Sequence, residues 1–391
     1  MKKTLTILTV CLLLILSTAF VVSSVYENEN IQTTEFYVGV TFCGNTTTEA
    51  KILIDKVKDF TNLFVPYSGP VSKNETAMTE ICEYAVAANL NIIVYFGDLD
   101  SDALQRKDLL WRLSWIEMAK QQWGDKFLGV HYYDEPGGIY IDFDRNETML
   151  TFLNLDYPDY DNATYMFING FLMDDGFEAI ETKSLDAFVS DYALYWFDYL
   201  AGYDVVLAQA GWNHTLVQDI ALLRGAARMQ NKTWGEMITW KYRHPPYLDS
   251  GEAIYEQMRT AYECGAEYIM IFNFPTLEDN DYGIMTDEHF DALERFWNDV
   301  MKNSEVIHAS IEAEAALVLP KNYGWGMRHQ EDRIWGWWGP DNKSQQIWTI
   351  SRQLLTQYGT HLDIVYDDPA FPVTGKYKQI YYWNQTITSI P

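Results

Sequence analysis

Short apolar runs alternate along the chain with stretches whose apolar residues recur at helical spacing. The runs are Phe36–Phe42, Leu63–Tyr67, Asn91–Gly97, Phe127–Tyr133, Val205–Gly211, Met237–Tyr242 and Tyr268–Phe274. Each has the length of a buried strand, and several are rich in Val and Ile. Between them, Leu216, Ile220, Leu223 and Ala227 share one helical face, as do Ile254, Met258, Ala261 and Tyr262. Thr46 with Glu49, Ser72 with Glu75 and Asp249 with Glu252 have capping-box spacing, a small polar acceptor three residues before Glu. Strand, capped helix, strand, repeated, predicts an α/β chain with a parallel sheet and helices outside. Seven runs fit a (β/α)8 TIM-barrel-like domain of about 250 residues, assigned to residues 36–302. An open doubly wound sheet is the competing architecture. No Gly-x-Gly-x-x-Gly follows the first run, so a dinucleotide fold has no support. The eighth strand is expected within Arg145–Lys183, where 139–183 reads as an insertion and Thr164–Met173 as a strand or half of a hairpin.

After a boundary near Asn303–Ala309, residues 310–391 read as a small α/β domain. Strands are expected at Ala315–Leu319, Leu362–Tyr366 and Gln379–Trp383, with a helix over Gln345–Tyr358. The loop before that helix carries Trp325, Trp335, Trp337 and Trp338.

The N-terminus changes the compartment. Lys2 and Lys3 precede the apolar run Leu5–Val22, and the small residues Ser23 and Ser24 follow. Residues 1–24 read as an export signal, or as a membrane anchor if the run at 5–22 is retained, with a linker at 25–35. Eight Asn-x-Ser/Thr sequons follow, at Asn45, Asn74, Asn146, Asn162, Asn213, Asn231, Asn342 and Asn384. They point to a glycosylated protein at the cell surface or outside the cell. Cys43, Cys82 and Cys264 permit one bridge at most, Cys43–Cys82 being one pairing.

Composition then narrows the partners. The chain has 391 residues, 28 Lys plus Arg against 55 Asp plus Glu, and a formal charge of −27. That balance disfavours nucleic acid and anionic membrane, so membrane contact is expected only through the N-terminal segment. No phosphate-cradling loop, no Gly-x-Ser-x-Gly elbow and no cofactor motif occurs. His131, Asp134 and Glu135 lack a second nearby His, and His244 is a candidate to approach from another strand; no metal site is assigned.

The sharpest chemistry lies in Gly129–Gly138, which begins as a strand and ends in a Pro-Gly-Gly turn. Alternation puts Leu128, Val130, Tyr132 and Asp134 on one face, and Gly129, His131, Tyr133 and Glu135 on the other. The second face is expected to point into the barrel with Glu135 at its carboxyl end, where barrel active sites are built. A carboxyl group among aromatic rings has a raised pKa, as a general acid requires. The bland role for Asp134 and Glu135 is capping a helix or pairing in a loop. Asp98 and Asp100 follow the third run; Gln209, Trp212, Trp240, Tyr242 and Asn273 close later ones. Such aromatic rings and amides suit the faces and hydroxyls of sugars, though each single ring is also an ordinary core residue. Glu236 is expected to start its strand, at the wrong end. Glu278 and Asp279 follow the last run and face either the site or water.

Phe127–Pro136, FLGVHYYDEP, resembles the fourth strand of glycoside-hydrolase-type barrels, which an acid/base residue ends. Leu223–Arg228 and Trp234–Trp240 are similar to segments of the same barrels. The tail from Ala315 to Tyr366 looks like the small flavodoxin-like domain that follows the barrel in some β-galactosidases. The resemblance implies Glu135 as proton donor, with Asp134 beside it, and a carbohydrate substrate. It departs at the last run, which ends Phe272-Asn273-Phe274-Pro275 where retaining barrels carry a nucleophilic Glu. Three outcomes stay open. Asp98 or Glu278 supplies the partner; or Asp134 and Glu135 work together as in substrate-assisted hexosaminidases; or the barrel binds glycan without cleaving it.

Overall fold

The computed structural model describes residues 35–143, 158–172, 175–212, 215–275 and 280–385. The export segment, residues 144–157 of the expected insertion, and Glu278 and Asp279 lie outside them. Eight parallel strands close a barrel in chain order: β1 Tyr37–Phe42, β2 Leu63–Pro66, β3 Asn91–Gly97, β4 Phe127–Tyr132, β5 Asp186–Asp191, β6 Val205–Ala210, β7 Thr233–Ile238 and β8 Tyr268–Ile271. β8 pairs with β1, so the barrel has no edge and is not an open doubly wound sheet. Alternate residues fill the interior, among them Leu63 and Val65, Val205 and Leu207, and Tyr268 and Met270.

The helices in chain order are α1 Thr47–Val57, α2 Glu75–Ala87, α3 Ser101–Lys107, α4 Trp111–Trp123, α5 Pro136–Asp142, α6 Tyr160–Leu172, α7 Gly176–Glu181, α8 Tyr195–Leu200, α9 Leu216–Gln230, α10 Gly251–Glu263, α11 Asp287–Trp297 and α12 Asn342–Tyr358. The Thr46–Glu49 capping box is formed on α1. The other two caps fall nearer the helix: Asn74 caps α2 and Ser250 caps α10. Glu75 and Glu252 instead sit in the first turn, where a negative charge opposes the helix dipole.

The strand expected within Arg145–Lys183 lies just beyond it, as β5. Its sequence DAFVSD sets only three apolar residues between polar ends, too short a run to stand out. Thr164 and its neighbours belong to α6. Gly129 shows how closely β4 and β5 approach: a Cβ there would fall 2.1 Å from the Asp186 carbonyl oxygen. β7 starts four residues before Met237, so Trp240 and Tyr242 lie past its end. Glu236 is therefore mid-strand. Met237 points into the barrel, so Glu236 faces outward, buried, with no hydrogen-bond partner for either oxygen. Burial, then the nearby charge of Asp219, pushes it well above the carboxylate range. It is structural, but for its face rather than its end.

A three-stranded parallel sheet follows, β9 Ala315–Leu319, β10 Leu362–Tyr366 and β11 Gln379–Tyr382, in the order β10-β9-β11. It packs on α9, an outer helix of the barrel. At Gly225 a Cβ would stand 2.7 Å from the Ile364 carbonyl oxygen, so only glycine lets helix and strand meet. Arg224 of α9 pairs with buried Asp363 of β10 at 2.8 Å. The aromatic loop turns toward the barrel as well: Trp335 packs on Tyr140 of α5, Phe167 of α6 and Phe197 of α8. Cys43, Cys82 and Cys264 are all buried and free, so the Cys43–Cys82 bridge is not formed.

Candidate active site

At the carboxyl end of the strands lies a cavity of about 220 Å³. Asp134 and Glu135 form one side, and Gln209, Trp212, Thr239, Trp240, Phe272 and Phe274 line much of the rest. Five residues singled out in the sequence therefore meet at one place: Asp134, Glu135, Gln209, Trp212 and Trp240.

The end of β4 does not continue its alternation. His131 still points inward, its ring centroid 4.7 Å from that of Tyr67. Tyr133 then adopts φ +59° and Glu135 φ +51°, left-handed conformations that cost about 1–3 kcal/mol each in a residue with a side chain. The reversal sends Tyr133 outward, onto Tyr132 and Phe171. It also brings Asp134 to the cavity, opposite to the face that strict alternation assigns it. The neighbouring strands hold the strained turn: the Tyr133 N–H donates to Gly97 O at 2.7 Å, and the Glu135 N–H to Ser190 O at 3.1 Å. Asp191, at the end of β5, accepts the N–H groups of Gly137 and Gly138 at 2.5 and 2.8 Å, and those of Tyr192 and Ala193. That carboxylate pins the start of α5 immediately after Glu135.

The polar groups of Tyr67, Ser190 and Gln209 stand behind the two acids. The Tyr67 hydroxyl donates to Asp134 Oδ1 at 2.7 Å. Gln209 Nε2 donates to Ser190 Oγ at 3.2 Å, and Ser190 lies close to Tyr67. The Gln209 side chain also lies beside Glu135 and favours its ionised form. Asp134 opens onto the cavity, yet protein encloses it on most sides. Loss of hydration, then the charge of Glu135, pushes its carboxyl up to about 6 despite the Tyr67 bond. Glu135 is likewise raised, by burial first and by the charge of Asp142, against the pull of Gln209. On the opposite wall, Thr239 Oγ1 and Trp240 Nε1 have no hydrogen-bond partner.

The remaining sequence candidates are placed elsewhere. Asp98 is paired with Lys107 at 2.7 Å, Asp100 caps α3, and neither lines the cavity. His131 is fully enclosed; its Nδ1–H donates to the Tyr133 carbonyl at 3.1 Å, and burial lowers its pKa to about 3, so the ring is neutral. Tyr242 is exposed in the loop after β7. Asn273 is buried, its Oδ1 accepting the N–H of Ile284 at 2.9 Å to anchor the loop after β8. Glu278 and Asp279 lie outside the described residues. Sequence reasoning missed Tyr67, Ser190 and Thr239. Tyr67 was visible as the last residue of a recognised run; Ser190 was hidden with β5, and Thr239 by the misplaced start of β7.

No protein-family model and no curated protein matches the chain. Solved structures do. The fold is similar to that of the glycoside hydrolase GH5_18 from Streptomyces cattleya, seen as a variant in complex with Manβ1-4GlcNAc (TM-score 0.57, 12% identity, 89% of this chain and 99% of that chain). A second structure of GH5_18 from Streptomyces cattleya, with GlcNAc, is similar at TM-score 0.55 and 12% identity, over 89% of this chain and 98% of that one. At that identity the likeness carries the fold alone, a closed (β/α)8 barrel.

Proposed function

We propose that this chain is an exported glycoside hydrolase whose general acid is Glu135. The observation that carries the reading is the adjacent pair Asp134–Glu135 at the end of β4, on an aromatic-walled cavity, each carboxyl raised from its ordinary value by burial. A raised carboxyl keeps its proton to higher pH, as donation to a leaving glycosidic oxygen requires. Trp212, Trp240 and Phe274 offer apolar faces for sugar rings. Carbohydrate ligands in the two similar barrels fit the same reading.

The second carboxylate decides the mechanism. A two-carboxylate scheme sets the groups about 5–5.5 Å apart across the sugar for retention, or about 6.5–9.5 Å for inversion. Among the described residues, Asp134 and Glu135 are the carboxylates that line the cavity, and consecutive residues approach a sugar from one side. β7 is followed by Thr239 and Trp240, β8 by Phe272 and Asn273. The adjacent pair fits substrate assistance, in which the nucleophile is the substrate's own 2-acetamido group. Glu135 gives its proton to the leaving oxygen as the C1–O bond breaks. The acetamido carbonyl oxygen bonds to C1, and ionised Asp134 accepts the acetamido N–H. Water then adds at C1, Glu135 takes its proton, and the acetamido group is restored.

Export rests on the N-terminal segment and the sequons. Six sequon asparagines are described (Asn45, Asn74, Asn162, Asn231, Asn342 and Asn384), and all six are exposed, as glycan attachment requires. No described helix is long and apolar enough to cross a membrane.

Release of reducing sugar from N-acetylglucosamine oligomers and a wider glycan panel tests the reading. Glu135→Gln is expected to lower kcat by about 10²–10⁴-fold while ligand binding persists. Release that the substitution leaves unchanged removes Glu135 from the mechanism. Binding without release in either protein turns the barrel into a glycan-binding one.

A further inference from the structure

The small sheet carries a second groove, remote in sequence from the barrel cavity. It has a volume of about 500 Å³ and runs between α12 and the turn after β11. Nine residues line it and none is charged, in a chain whose formal charge is −27. One wall is an exposed stripe of α12, with Gln345, Gln346, Thr349 and Gln353 at helical spacing. The other is Trp383 with Asn384. The Trp383 N–H donates to Val318 O at 3.1 Å, which fixes this wall to the edge of the sheet. The side-chain amides of Gln345, Gln346, Gln353 and Asn384 make no hydrogen bond to protein among the described residues.

We infer that this groove binds a neutral oligosaccharide. Free amides both donate and accept, as sugar hydroxyls do, and an indole face stacks on the C–H face of a pyranose ring. Absence of charge selects against uronate, phosphate and sulfate groups, which need a cationic partner. From residue 342 to 353 the helix wall is about 16 Å long at 1.5 Å per residue, room for a short chain rather than one ring. Such a site would hold the protein on a polymer while the barrel works on it. The inference stands whether or not the barrel cleaves glycan. The ligand has two sources: an external glycan, or the chain's own N-glycan, because the sequon residues Asn342 and Asn384 both lie in the groove lining.

The test uses the exported form without its signal, made in a host that adds no N-glycans and carrying Glu135→Gln so that no probe is cleaved. Calorimetry with tetrasaccharides of β-1,4-linked glucose, mannose and N-acetylglucosamine measures binding. Trp383→Ala is expected to weaken it about tenfold or more, the scale of a lost aromatic stack with its buried area. Gln346→Glu with Gln353→Glu, both at exposed positions, is expected to weaken it similarly without disturbing the fold. Trp240→Ala, which weakens sugar binding in the barrel cavity, identifies that cavity's share of the binding and should leave the groove's share in place. Failure of all three probes to bind, or binding indifferent to both groove variants, overturns the proposal. Glycosylated protein separates the sources. Binding absent there and restored by enzymatic deglycosylation assigns the groove to the chain's own glycan; equal binding assigns it to an external one.

Discussion

Asp134 carries the tension in the cavity. It sits beside Glu135, and the Tyr67 hydroxyl bond favours its ionised form while enclosure and the neighbouring charge oppose it. A hydrogen bond to a charged group contributes about 1.5–3 kcal/mol, so its loss is worth about one pKa unit or more. Tyr67→Phe is therefore expected to raise the Asp134 pKa. If ionised Asp134 holds the substrate, the acid limb of the kcat/KM profile moves to higher pH by about one unit; an unmoved limb means that Asp134 does not titrate in the reaction. The sequence showed Glu135 and Asp134 as a pair at a strand end, but not which way each faced. Period-2 alternation assumes extended backbone, and the positive φ at Tyr133 has no marker in a residue type that rarely adopts it. The side chain expected inside the barrel is outside, and the one expected outside lines the cavity.

β5 is the element on which the cavity depends most. Phe188 fills the barrel, Ser190 accepts the Gln209 amide, and Asp191 accepts four backbone N–H groups, two of them at the start of α5. Asp191→Asn replaces one acceptor oxygen by an N–H₂ that faces backbone donors. The expected cost is about 1–3 kcal/mol of stability, read as a lower urea midpoint, with a fall in kcat because the Glu135 turn loses its anchor. Lost stability with kcat intact would mean that the turn holds itself. The same strand shows where the pattern stops being legible. Six of the other seven barrel strands overlapped recognised apolar runs over most of their length, because strands covered on both faces are apolar throughout. β7 was caught only at its end, since Gly235 and Glu236 interrupt it. β5 was lost because it begins and ends on aspartates, of which Asp191 holds the start of α5. The residues that make a strand functional are those that break its apolar signature.

Across the molecule, several carboxyl groups lie between the barrel and its outer helices in positions that disfavour charge. Asp191, Asp198 and Glu236 are all enclosed by protein, and burial raises each above its ordinary range. Neither oxygen of Asp198 has a hydrogen-bond partner. A carboxyl whose folded pKa exceeds its unfolded value binds more protons in the native state. Stability from such groups is present below the unfolded pKa and is lost as pH rises through the folded one, at about 1.4 kcal/mol for each pH step between the two values. The formal charge of −27 adds self-repulsion in the same direction. Depressed carboxyls such as Asp142 and Asp341 act oppositely, but only below about pH 4, as they are protonated. The urea midpoint is therefore expected to peak on the acid side of neutrality and to fall steadily toward pH 8. Asp198→Asn isolates the cause, because an amide of the same shape stays neutral throughout. It should raise the midpoint at pH 8 and leave it nearly unchanged at pH 4, where the wild-type carboxyl is already protonated. An equal gain at both values would assign the effect to packing, and a loss at pH 8 would mean that Asp198 is ionised and paired in solution.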